Sequence, residues 1–183
     1  MDKKQLQTEK ESFAEDEVLF SVFQGALNRG YPYLVYEKNT DVERRGDFKI
    51  YLSKLLRKYQ GLVIQSPDKN TDIISDFQVE INRSEFTDIL KKQTITFGRV
   101  QKLLNLYLKY HWIFNCDEDN FEPPHCPIDS IILGEIGWVG PSWANPRFGK
   151  SEYDKAIEKC KTKAHGVKIA EWELVTFNNR TKE

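Results

Sequence analysis

Three polar residues share one side of an otherwise apolar segment of the chain. The sequence predicts a helix over residues 99–114, and Lys102, Asn105 and Lys109 fall on it at i, i+3 and i+7, which places them on one face. Most other side chains in the segment are apolar, so the helix is expected to lie in a core. A positive charge held beside a core is costly unless it has a use. We therefore expect this face to border a cleft or an anionic partner.

The sequence around this predicted helix is basic. No acidic residue lies between Asp88 and Asp117, whereas Lys91, Lys92 and Arg99 all lie within that interval. The whole chain has a formal net charge of -1, so the positive charge is concentrated locally. This balance argues against a chain that is basic all over its surface, as nucleic-acid coat proteins are, but it allows a local basic patch.

Asp129 supplies a carboxylate immediately before the apolar residues 131–133. The position is typical of a helix N-cap, and a cap needs no further role. The same geometry would keep the carboxylate ionised beside the helix dipole, where it could activate water or stabilise a developing positive charge. Lys102 likewise has two interpretations, as a contact to phosphate or as an amine nucleophile.

The order Gly98, Lys102, Asn105 and Asp129 resembles the helix-hairpin-helix DNA glycosylases, the base-excision enzymes related to endonuclease III and 8-oxoguanine glycosylase. In that family a hairpin ends in a glycine, and the next helix opens with a lysine followed three residues later by an asparagine or similar residue. An essential aspartate then begins a later helix. The resemblance covers about residues 89–133, with Val100 in place of the second hairpin glycine.

The resemblance implies a role for each of these residues. Asp129 and Lys102 would be catalytic: Asp129 would activate water or stabilise the cationic sugar as the glycosidic bond breaks, and Lys102 would be a nucleophile at the anomeric carbon. Asn105 and Lys109 would bind substrate. The DNA backbone would be contacted by the residues around the hairpin, which are Lys91, Lys92, Gly98 and Arg99. No four-cysteine cluster follows the motif, so we expect no iron–sulfur cluster and no other cofactor.

A loop rich in glycine, proline and tryptophan follows the aspartate. Trp138 and Trp143 in this loop are candidates to stack on an extruded base or to fill the gap that it leaves in the duplex. The alternative is a surface loop that its tryptophans merely hold in place. Metal-binding side chains are also present nearby, but their spacing is irregular and we expect no metal site; they are His111, Cys116, His125, Cys126 and Asp129.

The chain as a whole is expected to be mainly α: one compact helical domain of 183 residues with a helix-hairpin-helix-like element and irregular loops. Residues 1–7 are predicted to be frayed, and residues 115–127 and 134–150 to be loops. Thr8 and Glu11 form a capping-box pattern ahead of an apolar stripe that includes Phe13 and Phe20. Further helices are predicted over 47–59, after the cap residue Ser84, and from 152 to about 160, whereas 61–70 reads as a loop and the type of 167–177 is ambiguous.

Three classes of function fit these observations. The first is a DNA glycosylase that hydrolyses the N-glycosidic bond of a flipped-out damaged or modified base, a chemistry that would suit antiviral defence against modified phage DNA. The second is a non-catalytic nucleic-acid or partner-binding domain, and the third is a helical domain that binds a small molecule or a protein. The acid-free basic segment favours the first two classes.

The expected partner is double-stranded DNA, or single-stranded DNA, and the chain is expected to act as a monomer. The sequence has three cysteines, no signal-peptide pattern and no apolar run long enough to span a bilayer. We therefore expect a cytoplasmic protein without a membrane partner.

Overall fold

The computed structural model describes residues 2–30, 32–114 and 121–180. Within these ranges the protein is mainly α and contains no β-strand, which confirms the predicted fold class. An isolated antiparallel bridge joins Tyr36 and Leu90. The α-helices of the described ranges are α1 (Lys3–Ala26), α2 (Val42–Gln65), α3 (Asn70–Asn82), α4 (Phe97–Phe114), α5 (Ser130–Glu135), α6 (Lys150–Ala164) and α7 (Ile169–Asn179). No helix in this part of the chain combines the length and the apolarity needed to cross a membrane.

The predicted central helix, α4, is confirmed and lies in the middle of the structure. It packs against α1, α2 and α3, and Val100, Leu103, Leu104 and Leu108 have no exposed surface. Gly98 in its first turn allows close packing, because a Cβ added there would lie 1.7 Å from the backbone oxygen of Trp143. The broad apolar surface of the helix is therefore the reason for its central position.

Helix α1 runs antiparallel to α4 and begins earlier than the sequence predicts. Residues 3–7, which we expected to be frayed, are helical because Asp2 caps the helix, its Oδ1 accepting a hydrogen bond of 2.7 Å from Gln5 N. The predicted cap Thr8 lies inside the helix, where its hydroxyl donates to the carbonyl of Lys4. The side chains of Phe13 and Phe20 point to solvent, whereas the buried face of α1 comprises Val18, Leu19, Val22, Phe23 and Ala26.

Helices α2 and α3 correct the predicted loop at 61–70. Gly61 does not end α2, which continues to Gln65, and a 3₁₀ turn over Pro67–Lys69 leads directly into α3. Glycine in a helix interior costs only about 1 kcal/mol relative to alanine, which the packing of the rest of the helix can offset. Ser84 does act as a cap, but of a 3₁₀ helix, Glu85–Ile89.

The segment that leads into α4 differs in form from a regular pair of α-helices. It holds the 3₁₀ helices Glu85–Ile89 and Lys91–Gln93, and both Lys92 and Gln93 adopt a left-handed conformation with φ of 58° and 57°. Leu90 between them is extended because it pairs with Tyr36. The turn predicted ahead of α4 is therefore built from 3₁₀ and left-handed residues.

The remaining predictions concern the second half of the chain. Helix α6 is confirmed, and the ambiguous segment 167–177 is mostly occupied by α7. The predicted loops are irregular over 121–129 and 136–149, while 115–120 lies outside the described residues. These two irregular segments flank α5, so the short helix that follows Asp129 is held by loops on both sides.

Candidate active site

The structure brings Lys102 and Asp129 together. Lys102 Nζ lies 3.2 Å from Asp129 Oδ2, and the other carboxylate oxygen accepts hydrogen bonds from Ile131 N at 2.9 Å and Ile132 N at 3.2 Å. Asp129 is thus the N-cap of α5 and the partner of a lysine at the same time. The Lys102 side chain is only 5% exposed, whereas that of Asp129 is 18% exposed, so solvent reaches the pair from the side of the carboxylate.

The surroundings of Lys102 are apolar on one side and charged on the other. Its Nζ lies 4.4 Å from the ring centroid of Trp143, and the Trp143 indole N–H donates to Ser130 Oγ at 3.2 Å. Burial lowers the pKa of Lys102, the charge of Asp129 opposes that change, and the nearby Arg29 and Arg99 add to the lowering. The amine is therefore easier to deprotonate than a surface lysine, which is a requirement for nucleophilic use.

Gln101 fixes the segment that carries Asp129. The carbonyl oxygen of Ile128 accepts from Gln101 Nε2 at 2.6 Å, and Ile128 N donates to Gln101 Oε1 at 3.1 Å. One buried amide thus satisfies both backbone groups of the residue just before Asp129. Gln101 was not among the residues predicted to form the site, although a glutamine beside Lys102 in so apolar a helix indicates buried partners.

Asn105 is buried and holds the neighbouring residues in place. Its Nδ2 donates to the carbonyl of Cys126 at 3.3 Å and to the hydroxyl of Tyr153 at 2.8 Å, while its Oδ1 accepts from Asn70 Nδ2 at 3.3 Å. The Tyr153 hydroxyl also lies 2.9 Å from His125 Nδ1. Burial lowers the pKa of His125 to about 4, so the ring is neutral near pH 7 and Nδ1 can accept from Tyr153.

These contacts revise the substrate-binding role predicted for Asn105. All of its polar atoms are engaged with other protein groups and its side chain has no exposed surface. Asn105 together with Gln101 instead connects α4 to residues 126–128. The two amides determine where Asp129 lies relative to Lys102.

Lys109 also differs from its predicted role. Its Nζ contacts both carboxylate oxygens of Glu173 in α7, at 2.9 and 2.7 Å, and packs 4.9 Å from the ring centroid of Phe177. Burial raises the pKa of Glu173, and Lys109 opposes that rise. The lysine is buried in an ion pair and does not face solvent or phosphate. Its partner is 64 residues away in sequence, so no local pattern could reveal it.

Arg99 and Gly98 are not placed to contact a DNA backbone. Arg99 is 2% exposed and donates to carbonyl oxygens around the end of α1, including Leu27 at 3.3 Å and Arg29 at 2.8 Å. Burial lowers the pKa of Arg99 to about 10. Gly98 is buried against Trp143. Both predicted backbone contacts are corrected to structural roles.

Lys91 and Lys92, in contrast, are exposed and remain available for phosphate. They lie in the 3₁₀ turn ahead of α4, where Lys92 N donates to Glu37 Oε1 at 3.2 Å. Arg29, whose charge contributes to the lowered pKa of Lys102, is also exposed. Lys91 and Lys92 ahead of α4 and Arg29 after α1 thus remain as exposed cations.

The two tryptophans of the loop have different surroundings. Trp143 is 3% exposed and borders Lys102, so it could meet a base only if the loop moved. Trp138 is half-buried, packs against Phe148 and donates its indole N–H to the Pro141 carbonyl at 3.0 Å. These contacts fit the alternative of a loop held in place by its tryptophans. Val139 at the loop tip is 96% exposed.

The ligand-type residues near the site do not assemble. Among the described residues there is no group of three or more His, Cys, Asp or Glu side chains that could hold a metal ion. His111 lies beside Glu15, with Nε2 3.1 Å from Oε2, whereas His125 contacts Tyr153. Cys116, which belonged to the same set, lies outside the described residues.

Comparison of the chain with protein-family models, with curated proteins and with solved structures found no match. The Lys102–Asp129 pair is therefore the main indication of function.

Proposed function

We propose that the protein is a DNA glycosylase that hydrolyses the N-glycosidic bond of a flipped-out damaged or modified base. The observation that carries this proposal is the 3.2 Å contact between Lys102 Nζ and Asp129 Oδ2 at the N-terminus of α5. A half-enclosed carboxylate next to a buried amine is a pairing that suits chemistry at an anomeric carbon. The exposed Lys91 and Lys92 ahead of α4 support a polyanionic substrate.

Asp129 is the group to which we assign the main role. Two backbone N–H groups and Lys102 hold its carboxylate, so it is oriented before a substrate binds. As the base leaves, positive charge develops on the sugar, and a fixed carboxylate stabilises it or accepts a proton from the attacking water. The partial exposure of Asp129 gives substrate an approach that the buried Lys102 lacks.

Lys102 has two roles compatible with this geometry. As a cation, it orients Asp129 and contributes positive potential towards the DNA. As an amine, with the pKa lowered by burial, it attacks the anomeric carbon and displaces the base, and opening of the sugar ring then gives a Schiff base that borohydride can trap. Access of substrate to Nζ requires displacement of Trp143, which covers it.

A second candidate is a non-catalytic nucleic-acid or partner-binding domain. It is favoured by the burial of Arg99 and Lys109 in contacts within the protein, because the Lys102–Asp129 pair would then be one more structural contact of the same helix. The two candidates differ in what Asp129 does. A binding domain would bind its partner equally well without the Asp129 carboxylate.

The test is a screen for base release from duplexes and single strands that carry uracil, oxidised, alkylated or phage-type hypermodified bases. We expect release from at least one of these substrates, and loss of release with Asp129→Asn. Asparagine is also a good N-cap, so α5 should persist in the variant. Binding should be retained or tightened, since a negative charge has been removed from a site for a polyanion. Binding to DNA without base release from any substrate would leave the binding domain as the better account.

The identity of the released base would show whether the enzyme acts in antiviral defence or in repair. If release is confined to hypermodified bases, the enzyme would act on foreign DNA and leave unmodified DNA intact. Release from uracil or 8-oxoguanine would instead indicate repair. The comparison of the two substrate groups within the same screen distinguishes these settings.

A further inference from the structure

The first half of α1 extends beyond the body of the protein. Arg99 at the start of α4 contacts the end of α1, and His111 near the end of α4 contacts Glu15, so Glu15 is level with the last turn of α4. The residues before it continue past that helix. All of residues 2–14 are exposed, and we refer to them as the arm.

A row of large apolar side chains runs along the arm and onto the body. Leu6, Phe13 and Phe20 are spaced by seven residues, which keeps them on nearly the same side of a helix. They are 40%, 67% and 60% exposed. Val18 and Val22, which face the core, lie two residues either side of Phe20 and therefore about 160° around the helix from it. Leu6 and Phe13 thus face solvent, as an interaction surface would, whereas Phe20 also borders a groove lined by Lys49, Ile50 and Ser53 of α2.

The charges beside this row argue against DNA as its partner. Residues 2–17 include six acidic and three basic side chains, so the arm would repel a polyanion. Glu9 and Lys10 follow Leu6 by three and four residues and therefore lie on opposite flanks of the row. Neither has an oppositely charged residue three or four positions away on α1. Each flank therefore offers an unmatched charge that is opposite to the other.

We propose that the arm pairs with the arm of a second copy of this chain, parallel and in register, around a two-fold axis along the helices. Phe13 then packs on Phe13 of the partner subunit, and Lys10 faces Glu9 of the partner subunit on both sides of the contact. In antiparallel pairing each flank would face the same flank of the partner subunit. Glu9 would then face the acidic flank of the partner subunit, and like charges would repel. Because the row faces away from the core of each copy, the two bodies lie on opposite sides of the paired arms.

One level of the row opposes this pairing. Asp16 and Glu17 flank it in the same way as Glu9 and Lys10, but both are acidic. Close approach near Phe20 is therefore disfavoured, and the contact centres on Leu6 and Phe13. A charge reversal at Glu17 should remove that repulsion and tighten the pairing.

Sedimentation of the full chain over a range of concentrations tests the proposal. We expect a reversible dimer whose dissociation constant rises about a hundredfold with Phe13→Ser, because two phenyl rings lose their burial. Val42→Ser is the matched control, since Val42 is 82% exposed at the start of α2, away from the arm, and its change should leave the dimer intact. All these positions are exposed, and circular dichroism would verify that each variant stays folded.

Charge variants test the parallel arrangement separately. Lys10→Glu should weaken the dimer by placing like charges together, and the double variant with Glu9→Lys should restore it, while Glu17→Lys should tighten it. A chain that is monomeric at every concentration would overturn the proposal. So would a dimer that is indifferent to Phe13→Ser, or a double variant that fails to recover.

Discussion

Two lysine–carboxylate pairs lie on the same face of α4, seven residues apart, and they differ in how completely they are closed. Glu173 surrounds Lys109 with both oxygens and its side chain is 5% exposed. Asp129 uses one oxygen for Lys102 and the other for α5, and it is 18% exposed. The difference shows that a buried charge on this face is not in itself a sign of function. What distinguishes the Lys102 pair is a carboxylate that is oriented by the backbone and still reachable.

The charges of the two pairs also interact. The pKa of Glu173 is raised mainly by burial, lowered by Lys109, raised again by Asp129 and lowered by Lys102. The closed pair therefore lies in the electrostatic field of the open one. Matched variants of the Lys102–Asp129 and Lys109–Glu173 pairs should therefore distinguish an effect on base release from an effect on stability.

The largest expected effect separates the two lysines in catalysis. Lys102→Gln should slow base release by roughly 10²–10⁴-fold, the usual range for a group that takes part in acid–base or nucleophilic catalysis. Lys109→Gln should leave the rate constant of the folded protein within a fewfold. Borohydride trapping of the parent that is lost in Lys102→Gln identifies Lys102 as the nucleophile, whereas base release without trapping assigns the attack to water activated by Asp129. Equal losses in the two variants would remove the distinction between the pairs.

The next effect concerns stability, and here the closed pair should dominate. Glu173→Ala leaves Lys109 buried without a partner, and we expect a loss of about 3–5 kcal/mol in the free energy of unfolding. The double variant Lys109→Met/Glu173→Met should recover most of this loss, because two buried charges are replaced by apolar side chains. Denaturant titration of both variants is the measurement. A double variant as unstable as Glu173→Ala would show that α7 packing, and not the unpaired charge, is responsible.

A third carboxylate, on the opposite side of α4, predicts a smaller and pH-dependent effect. Contact with His111, supported by Tyr107, lowers the pKa of Glu15 to about 2 against the opposing effect of burial. A lowered pKa means that the stabilisation is complete above the ordinary value of the free carboxyl and is lost as pH falls towards 2. We expect Glu15→Gln to cost about 1–2 kcal/mol near neutral pH, after allowance for solvent screening, and little near pH 2. Denaturant titration of the variant and the parent at both pH values is the measurement. If the difference in free energy of unfolding were the same at both pH values, the low pKa assigned to Glu15 would be wrong.

The smallest expected effect is on DNA affinity, and it distinguishes the exposed cations from the buried ones. Neutralising Lys91 and Lys92 should weaken DNA binding about equally for all sequences and reduce the salt slope by up to roughly one unit for each lost phosphate contact. Arg99→Gln should instead destabilise the fold, since its guanidinium holds the end of α1. Binding that does not depend on salt would argue against a contact between this segment and the duplex backbone.

The sequence was sufficient for the features that depend on local pattern. The broad apolar surface of α4 predicted its burial, and the position of Asp129 before an apolar run predicted its capping role. The resemblance also linked Lys102 with Asp129, although 27 residues separate them. These features share one property: the information lies within one segment or within a motif that spans few segments.

The features that the sequence did not reveal depend on distant partners. In the sequence Lys109 and Arg99 cannot be distinguished from surface cations. They are buried because Lys109 packs against α7 and Arg99 packs against the end of α1. A glutamine in so apolar a helix indicates buried partners, but it does not reveal that the partner of Gln101 is the backbone of Ile128, 27 residues away. The capping-box pattern at Thr8 was a competing local signal, because Asp2 starts the same helix earlier.

The most direct test of the central claim is the single-turnover rate of base release for Asp129→Asn measured beside Glu173→Gln, on the best substrate from the screen and with folding verified for each. Both changes remove one negative charge from the same face of α4 and keep the side-chain shape. We expect Asp129→Asn to lower the rate by about a thousandfold or more while duplex binding persists, and Glu173→Gln to retain the rate within about tenfold. Similar rates for the two variants, or an Asp129→Asn protein as active as the parent, would contradict this expectation.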